Sequence, residues 1–422
     1  MTSMASSVLD NGLRLIVEPS DDVASVAVRW MVPCGHAADP DDGVGRSTLL
    51  SDLLFRGAGD RSSRELSDAF DALGIRRDSH LTAYHTQLSA VMLGEHLETG
   101  LDLLADMVTA PRLDETALDP VRELCLLSLD SLEDDPQHLV MLRLTEQHWP
   151  EPFNRHGYGE ASALRAATVD ALRSLWAARF QPRGSILAIA GRVDPNRIAP
   201  WLNERLASWS GQVDEPVPRG SGAGGYRHHV RDTAQVHIGI AWDAPPLAHE
   251  QSPRERLATA VLTGSTSGRL FTEVRQKRSL CYSVGGSYRP GRDRGSVTIY
   301  TGTTPDHAEE ALRVCLDEVR RLTEGVTEAE FARARTQLKS RLIMQGESTS
   351  ARASTLAADT FRLGRPRPLD EIAAELDDLT LDDVNDYLRE RAPGPFTVTT
   401  MGPRDLAGVH DEIKAGAAPT GA

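Results

Sequence analysis

The sequence predicts an α+β protein built from two similar domains, each a mainly antiparallel sheet flanked by helices. Three observations carry this expectation. At 422 residues the chain exceeds what one hydrophobic core usually organises. Its order of strand and helix patterns occurs twice, roughly 200 residues apart, as an internal duplication would give. Between the copies, VDEPVPRGSGAGGYRHH has the Pro, Gly and Ser content of a flexible linker. The expected division is therefore 1–214, a linker at 215–226, and 227–422, with the two domains around a central cavity.

The elements follow in order. LRLIVEP and ASVAVRWMVP alternate with a period of two and read as strands. GRSTLLSDLLFRG has helical spacing, with Gly57 as its expected C-cap, and SSRELSDAFDALG repeats the pattern and ends on Gly74. The strand TQLSAVML leads into the helix HLETGLDLLADMV and another beginning near LDETALDPVRELCLLSL. The second copy has the strand AQVHIGIAWDAP, the helix RERLATAVLTG, the strand GSVTIYTGT and the long helix HAEEALRVCLDEVRRLTEG. TEAEFARARTQLKSRLIM then parallels the region around Leu124.

Composition excludes several function classes. The net charge is -15, with 61 acidic and 46 basic side chains, opposite to what phosphate backbones select, so no nucleic-acid partner is expected. No stretch approaches the roughly 20 apolar residues that span a bilayer, and the N-terminus has neither a basic nor an apolar signal segment. No membrane association is expected, and a cytoplasmic location is. Cys34, Cys125, Cys281 and Cys315 form no C-x-x-C pair and read as small buried hydrophobes in a reducing compartment. GSTSG at 264–268 is not a nucleophile elbow, because Thr266 holds the central place, and no phosphate-binding loop is present. His80 and His85, five apart on an expected strand, point to opposite faces. His228 and His229 alternate in the same way, and His96 stands beside Glu95. All five read as surface or interface side chains rather than ligands.

Several motifs together resemble one family. GVGRSTLLSDLLFRGAG, with Leu54, Phe55 and Gly57 fixing the register, stands where the M16 (pitrilysin or insulinase) peptidases carry Gly-x-x-His-x-x-Glu-His followed by Leu-Phe-x-Gly. FNRHGYGEASA and LAIAGRVDPNRI are similar to further landmarks, and SGRLFTEVRQKRSLCYSVGGSY is similar to the C-terminal signature. The resemblance spans nearly the whole chain and is closest to short bacterial members related to mitochondrial processing peptidase.

Zinc hydrolysis needs two histidines four apart on one helical face, a glutamate as general base, and a distal carboxylate. In the register of the resemblance, Thr48 and Asp52 stand at the histidine positions, Ser51 at the general base, and Ser128 near the distal ligand. A hydroxyl is a poor ligand at neutral pH, Asp52 alone gives one oxygen donor, and Ser51 cannot take a proton from water. No metal or other cofactor is therefore expected on this chain. Arg275 and Tyr282 match the arginine and tyrosine with which the family holds substrate. An arginine gives peptide carbonyls a rigid fork of donors, and a tyrosine hydroxyl can donate to a developing oxyanion. By themselves the two residues would read as a surface ion-pair partner and a strand residue packed on the core.

In two-chain members of the family, one chain keeps the zinc motif and the other the arginine–tyrosine pair. The resemblance implies the second kind: a non-catalytic pseudoenzyme whose partner is a zinc-bearing M16 paralogue in a heterodimer, acting on a peptide substrate. The alternative is an inactive peptide-binding or structural scaffold of the same fold, as core subunits of the respiratory bc1 complex are.

Overall fold

The computed structural model of the chain describes residues 4–391, 393–409 and 413. Strands β1 (Ala5–Val8), β2 (Arg14–Pro19), β3 (Ser25–Val32), β6 (Arg76–Leu81), β7 (Thr86–Leu93) and β8 (Ile186–Gly191) form a six-stranded sheet in the order β1-β2-β8-β3-β7-β6. The two-residue strands β4 (Gly57–Ala58) and β5 (Arg61–Ser62) make a separate hairpin. In the second half, β9 (Gly225–Val230), β10 (Val236–Ala244), β11 (Ser283–Pro290), β12 (Gly295–Thr303) and β13 (Thr397–Gly402) form a five-stranded sheet, β11-β12-β10-β13-β9.

The duplication legible in the sequence is also one of topology. The order β2-β8-β3-β7-β6 matches β9-β13-β10-β12-β11 strand for strand. Each sheet is antiparallel except at one pair, β2 with β8 and β9 with β13. Those two pairs join the first and last strands of their copies, a long connection that a parallel pairing requires.

Helices cover both faces of each sheet. In the first half one face packs Leu15, Val17, Val26, Val28 and Trp30 against the half's own helices. The opposite face, with Ile16, Ala27, Met31, Ile186, Ala188 and Ala190, packs on Ala353, Leu356 and Ala357 of the helix Thr349–Leu363. Successive strand side chains alternate faces, so one strand serves both layers. Arg352 on that helix reaches Glu18 with two hydrogen bonds of 2.8 and 2.9 Å, and Arg29 donates to Ser354 Oγ.

The two compact units are consequently not the consecutive halves that the sequence suggests. The first takes the chain up to Ser131 with Glu151–Arg219 and Gln345–Arg367, and the second takes Leu132–Pro150, Gly220–Met344 and the chain from Pro368 onward. Relative to the expected 1–214 and 227–422, each half sends one helix to the other's sheet. The helix Pro136–His148 packs on β10 and β13 of the second sheet. There Gln147 accepts from Thr399 at 2.7 Å, and His148 Nδ1 meets Thr397 Oγ1 at 2.9 Å. Of the expected linker, 215–224 form neither helix nor strand, while Gly225 and Tyr226 open β9. Arg219 pins this segment through ion pairs with Asp41 and Glu151 at 2.7 and 3.0 Å.

Two local expectations are corrected. Gly57 is not a helix cap: the helix Arg46–Leu53 ends earlier, and Gly57 opens β4. His85 lies on no strand but in the turn between β6 and β7, buried, with its ring edge-on to Phe361. All four cysteines are free and buried, as expected.

Leu356 is fully buried. Leu356→Ala should destabilise the protein by about 3 kcal/mol, because it removes apolar volume from a layer that cannot collapse around it. Urea unfolding at constant slope checks this. A loss under about 1 kcal/mol would mean that the exchanged helix is not an integral layer of the first sheet.

Candidate functional site

The helix Arg46–Leu53 places three of the six candidate residues. Leu49, Leu50, Leu53 and the following Leu54 are fully buried and anchor it in the first core. Its start is held by a buried carboxylate: Asp39 accepts from the Gly45 and Ser47 N–H groups at 2.8 Å each and from the Ser47 hydroxyl at 3.0 Å. Burial pushes the Asp39 carboxyl up to about 6, against the pull of those donors. Gly45 has φ +113°, and a Cβ on it would come 2.9 Å from Gly159 Cα, so the helix start and the 153–159 loop meet backbone to backbone.

The polar side chains of this helix are engaged in local structure. Thr48 donates its hydroxyl to the Gly157 carbonyl at 3.0 Å. Ser51 is buried, with its hydroxyl 3.2 Å from Ser79 Oγ on β6. Asp52 is exposed, yet desolvation raises its carboxyl, opposed by the Cys125 thiol and Arg56.

The helix Glu115–Asp130 packs against Arg46–Leu53. Ser128 on it is exposed and turns its hydroxyl back to the Leu124 carbonyl at 2.9 Å. The residue that reaches the first helix is Cys125, one turn earlier, whose thiol donates to Asp52 Oδ2 at 3.5 Å. Sequence reasoning took Cys125 for a plain buried hydrophobe. Its apolar helical setting was legible, but its partner on another helix was not. Burial and the neighbouring Asp52 charge push the Cys125 thiol up to about 12, so it remains a protonated donor at neutral pH.

These residues do not fit a zinc ion. Thr48, Ser51 and Ser128 offer hydroxyls already bonded to protein, Asp52 gives one carboxylate, and Cys125 is a thiol rather than a thiolate. Among the described residues, no three His, Cys, Asp or Glu side chains are gathered so that they could hold a metal ion.

The remaining candidates lie in the second unit. Arg275 sits in the π-helical segment Phe271–Gln276, where the Lys277 N–H reaches back five residues to the Thr272 carbonyl at 2.9 Å. Ser279, with φ +52°, closes this segment where the first copy has Gly74 at φ +63°. Arg275 is exposed, with its guanidinium 5.1 Å from the Phe271 ring centroid. Burial raises the Cys281 thiol, opposed by its hydrogen bond with Thr301 and by the Arg275 charge. Glu273, the nearest carboxylate in sequence, is taken by Lys277 and Arg278 at 2.7 Å. Tyr282 is 70% exposed at the entrance to β11. Among the described residues neither the Arg275 guanidinium nor the Tyr282 hydroxyl has a hydrogen bond or ion pair. The surface ion pair and the core packing weighed for them from sequence are not what the fold provides.

Two sequence profiles match the chain. The insulinase (peptidase family M16) domain matches residues 14–159, and the peptidase M16 inactive domain matches residues 166–338. The chain belongs to the M16 family. An uncharacterized zinc protease of Mycobacterium tuberculosis is 27% identical over 405 residues, covering 94% of this chain and 92% of that one. An uncharacterized zinc protease of Bacillus subtilis is 26% identical over 407 residues, covering 93% and 97%. Among solved structures, the peptidase M16 inactive domain from Pseudomonas fluorescens has a TM-score of 0.86 at 18% identity, covering 96% of this chain and 98% of that chain. A chain of Complex III2 from Candida albicans has 0.81 at 17%, covering 98% and 99%. These structural likenesses establish the fold. Among the described residues no helix is long and apolar enough to cross a membrane.

Because the Asp52 charge holds the Cys125 thiol up, Asp52→Asn should move the onset of Cys125 alkylation to lower pH. Iodoacetamide labelling across a pH series, read by peptide mass spectrometry, checks this. An unchanged onset would show that burial alone sets the thiol.

Proposed function

We infer that this chain is the non-catalytic, substrate-orienting subunit of a two-chain zinc endopeptidase, completing the active site of a partner that carries His-x-x-Glu-His. The observation that carries this reading is the contrast between the two units. At the positions of the zinc motif the side chains are committed to holding helix, loop and strand together. At the positions of the substrate-holding pair, Arg275 and Tyr282 are exposed and unpartnered among the described residues. A fold selected only as a scaffold has no use for an unpaired cation and a free hydroxyl on adjoining segments. The zinc is expected in the partner, and the uncharacterized zinc proteases related to this chain are consistent with such a family context.

The roles follow from the chemistry of the two groups. Arg275 would hold peptide carbonyls through its fork of donors, and Tyr282 would donate to the carbonyl oxygen of the peptide bond that the partner cleaves. Neither group supplies a base or a nucleophile, so the chain by itself has no means to hydrolyse a peptide.

Mixed with a zinc-bearing paralogue, the chain should restore peptide cleavage that neither protein shows alone. In that pair, Tyr282→Phe should cost about 2.7–4 kcal/mol of transition-state stabilisation, a fall of roughly a hundred- to thousandfold in kcat. Arg275→Ala should fall chiefly in kcat/KM. Unchanged kcat/KM in both variants would remove the assigned roles.

A further inference from the structure

The two copies differ by one residue at the turn that carries Arg275. In the first copy Leu66, Phe70 and Ile75 are buried, and the Ile75 N–H donates to the Phe70 carbonyl at 3.1 Å. In the second, Leu270, Val274 and Leu280 are buried in the same order, and the Leu280 N–H donates to the Val274 carbonyl at 3.0 Å. The bonded residues stand at 70 and 75 in one copy and at 274 and 280 in the other, so the second holds one residue more. A helix takes up a single added residue as a π turn, and such turns occur frequently at functional sites. The first copy has a regular helix here, Ser63–Ala72, and the second has the π-helical segment Phe271–Gln276.

The start of each segment is held differently. Ser62 and Glu65 close a capping box on Ser63–Ala72, so that helix satisfies its own first turn. The π-helical segment has no side-chain cap. It follows directly on Arg269 and Leu270, which are helical, and Arg269 is tied to its surroundings by four bonds. Its guanidinium takes Glu330 as a fork, Nε to Oε1 at 2.7 Å and Nη2 to Oε2 at 2.9 Å. It also donates to the Gly325 carbonyl at 2.9 Å and to the Arg321 carbonyl at 3.3 Å. Both side chains are largely withdrawn from water, at 13% and 18% exposure. Glu330 is itself fixed at the start of the helix Glu328–Gly346, where it accepts from the Thr327 N–H at 2.8 Å and hydroxyl at 2.9 Å. Burial raises the Glu330 carboxyl, but these donors outweigh it and hold it well below the usual carboxylate range. The fork is therefore charged on both sides at neutral pH.

A π turn is rare, and a strained backbone persists only where its surroundings impose it. If the added residue slips out of the turn, every residue beyond it rotates by about 100°, one residue's share of a helical turn. Arg275 lies on the same helical run as Arg269, is exposed, and has no ion pair among the described residues. Its guanidinium stands 5.1 Å from the Phe271 ring centroid. The direction of that guanidinium thus follows the register of the run.

We propose that Arg269, gripped by Glu330, is a positioning residue for Arg275: it holds the run with the added residue in its π register and so fixes where the Arg275 guanidinium stands. The proposal rests on the reading above, because it explains how the substrate-holding arginine is kept in place. A fork is suited to this task, since its two parallel bonds fix direction as well as distance.

The test uses the full chain with 4-trifluoromethylphenylalanine in place of Phe271, followed by fluorine NMR, and a melting curve confirms that each variant folds. Arg275→Ala marks the resonance of the ring without its guanidinium. Arg269→Gln should move the resonance toward that position. Glu330→Gln, which can still accept from Thr327, is the gentler variant and should move it part of the way. In the pair reconstituted with a zinc-bearing paralogue, Arg269→Gln should lower kcat/KM about ten- to a hundredfold, chiefly through KM, as a displacement on the order of 1 Å does. It should cost little further in a chain that already carries Arg275→Ala, because the two residues act as one unit. A resonance unmoved in both variants, or a loss that adds in full to that of Arg275→Ala, would overturn the proposal. Failure of the subunit reading shows differently: a pair carrying Arg275→Ala then cleaves as the wild type does, while the fluorine resonance still decides whether Arg269 holds the turn.

Discussion

The helix Arg46–Leu53 is anchored in the first core by its leucines, and polar contacts tie it to the segments around it. Asp39 caps its start, Thr48 ties it to the 153–159 loop, Ser51 meets β6, and Asp52 accepts from Cys125 on the packed helix Glu115–Asp130. A hydroxyl of threonine or serine reaches a carbonyl or another hydroxyl across a close helix contact. A zinc-binding set needs side chains left free to converge on an ion, and here each group has a separate partner: Gly157 for Thr48, Ser79 for Ser51, Cys125 for Asp52 and the Leu124 carbonyl for Ser128.

The second unit shows the opposite economy. The π-helical turn and the left-handed Ser279 place Arg275 and Tyr282 on adjoining exposed segments instead of folding them into the core. Backbone conformations of this kind cost energy and persist only where surrounding structure fixes them. Here Val274 and Leu280, buried on either side and joined by a 3.0 Å backbone hydrogen bond, supply that fixation. The conformational cost is carried by the half of the chain whose side chains remain available.

Much of this was legible in the sequence, and what was not has physical reasons. The duplication was visible because equivalent strands and helices keep their apolar period. The exchanged helices Pro136–His148 and Thr349–Leu363 were not, since amphipathicity shows that a helix buries a face but not which sheet receives it. Thr48, Ser51 and Asp52 were placed correctly on one helix, but Ser128 turns outward. Cys125, read as a hydrophobe, is the residue that faces Asp52, a pairing across two helices that no local spacing encodes. Gly57 reads as a cap because it follows a helical pattern, whereas its φ of +120° serves the β4–β5 hairpin.

We expect the side chains around Thr48 and Ser128 to give this chain no hydrolytic metal centre of its own. Metal content of the purified chain, equilibrated with micromolar zinc, passed through a desalting column and read by inductively coupled plasma mass spectrometry, tests it most directly. Far less than one zinc per chain is expected, unchanged by Asp52→Ala. One zinc per chain, lost on Asp52→Ala or Cys125→Ala, would contradict it.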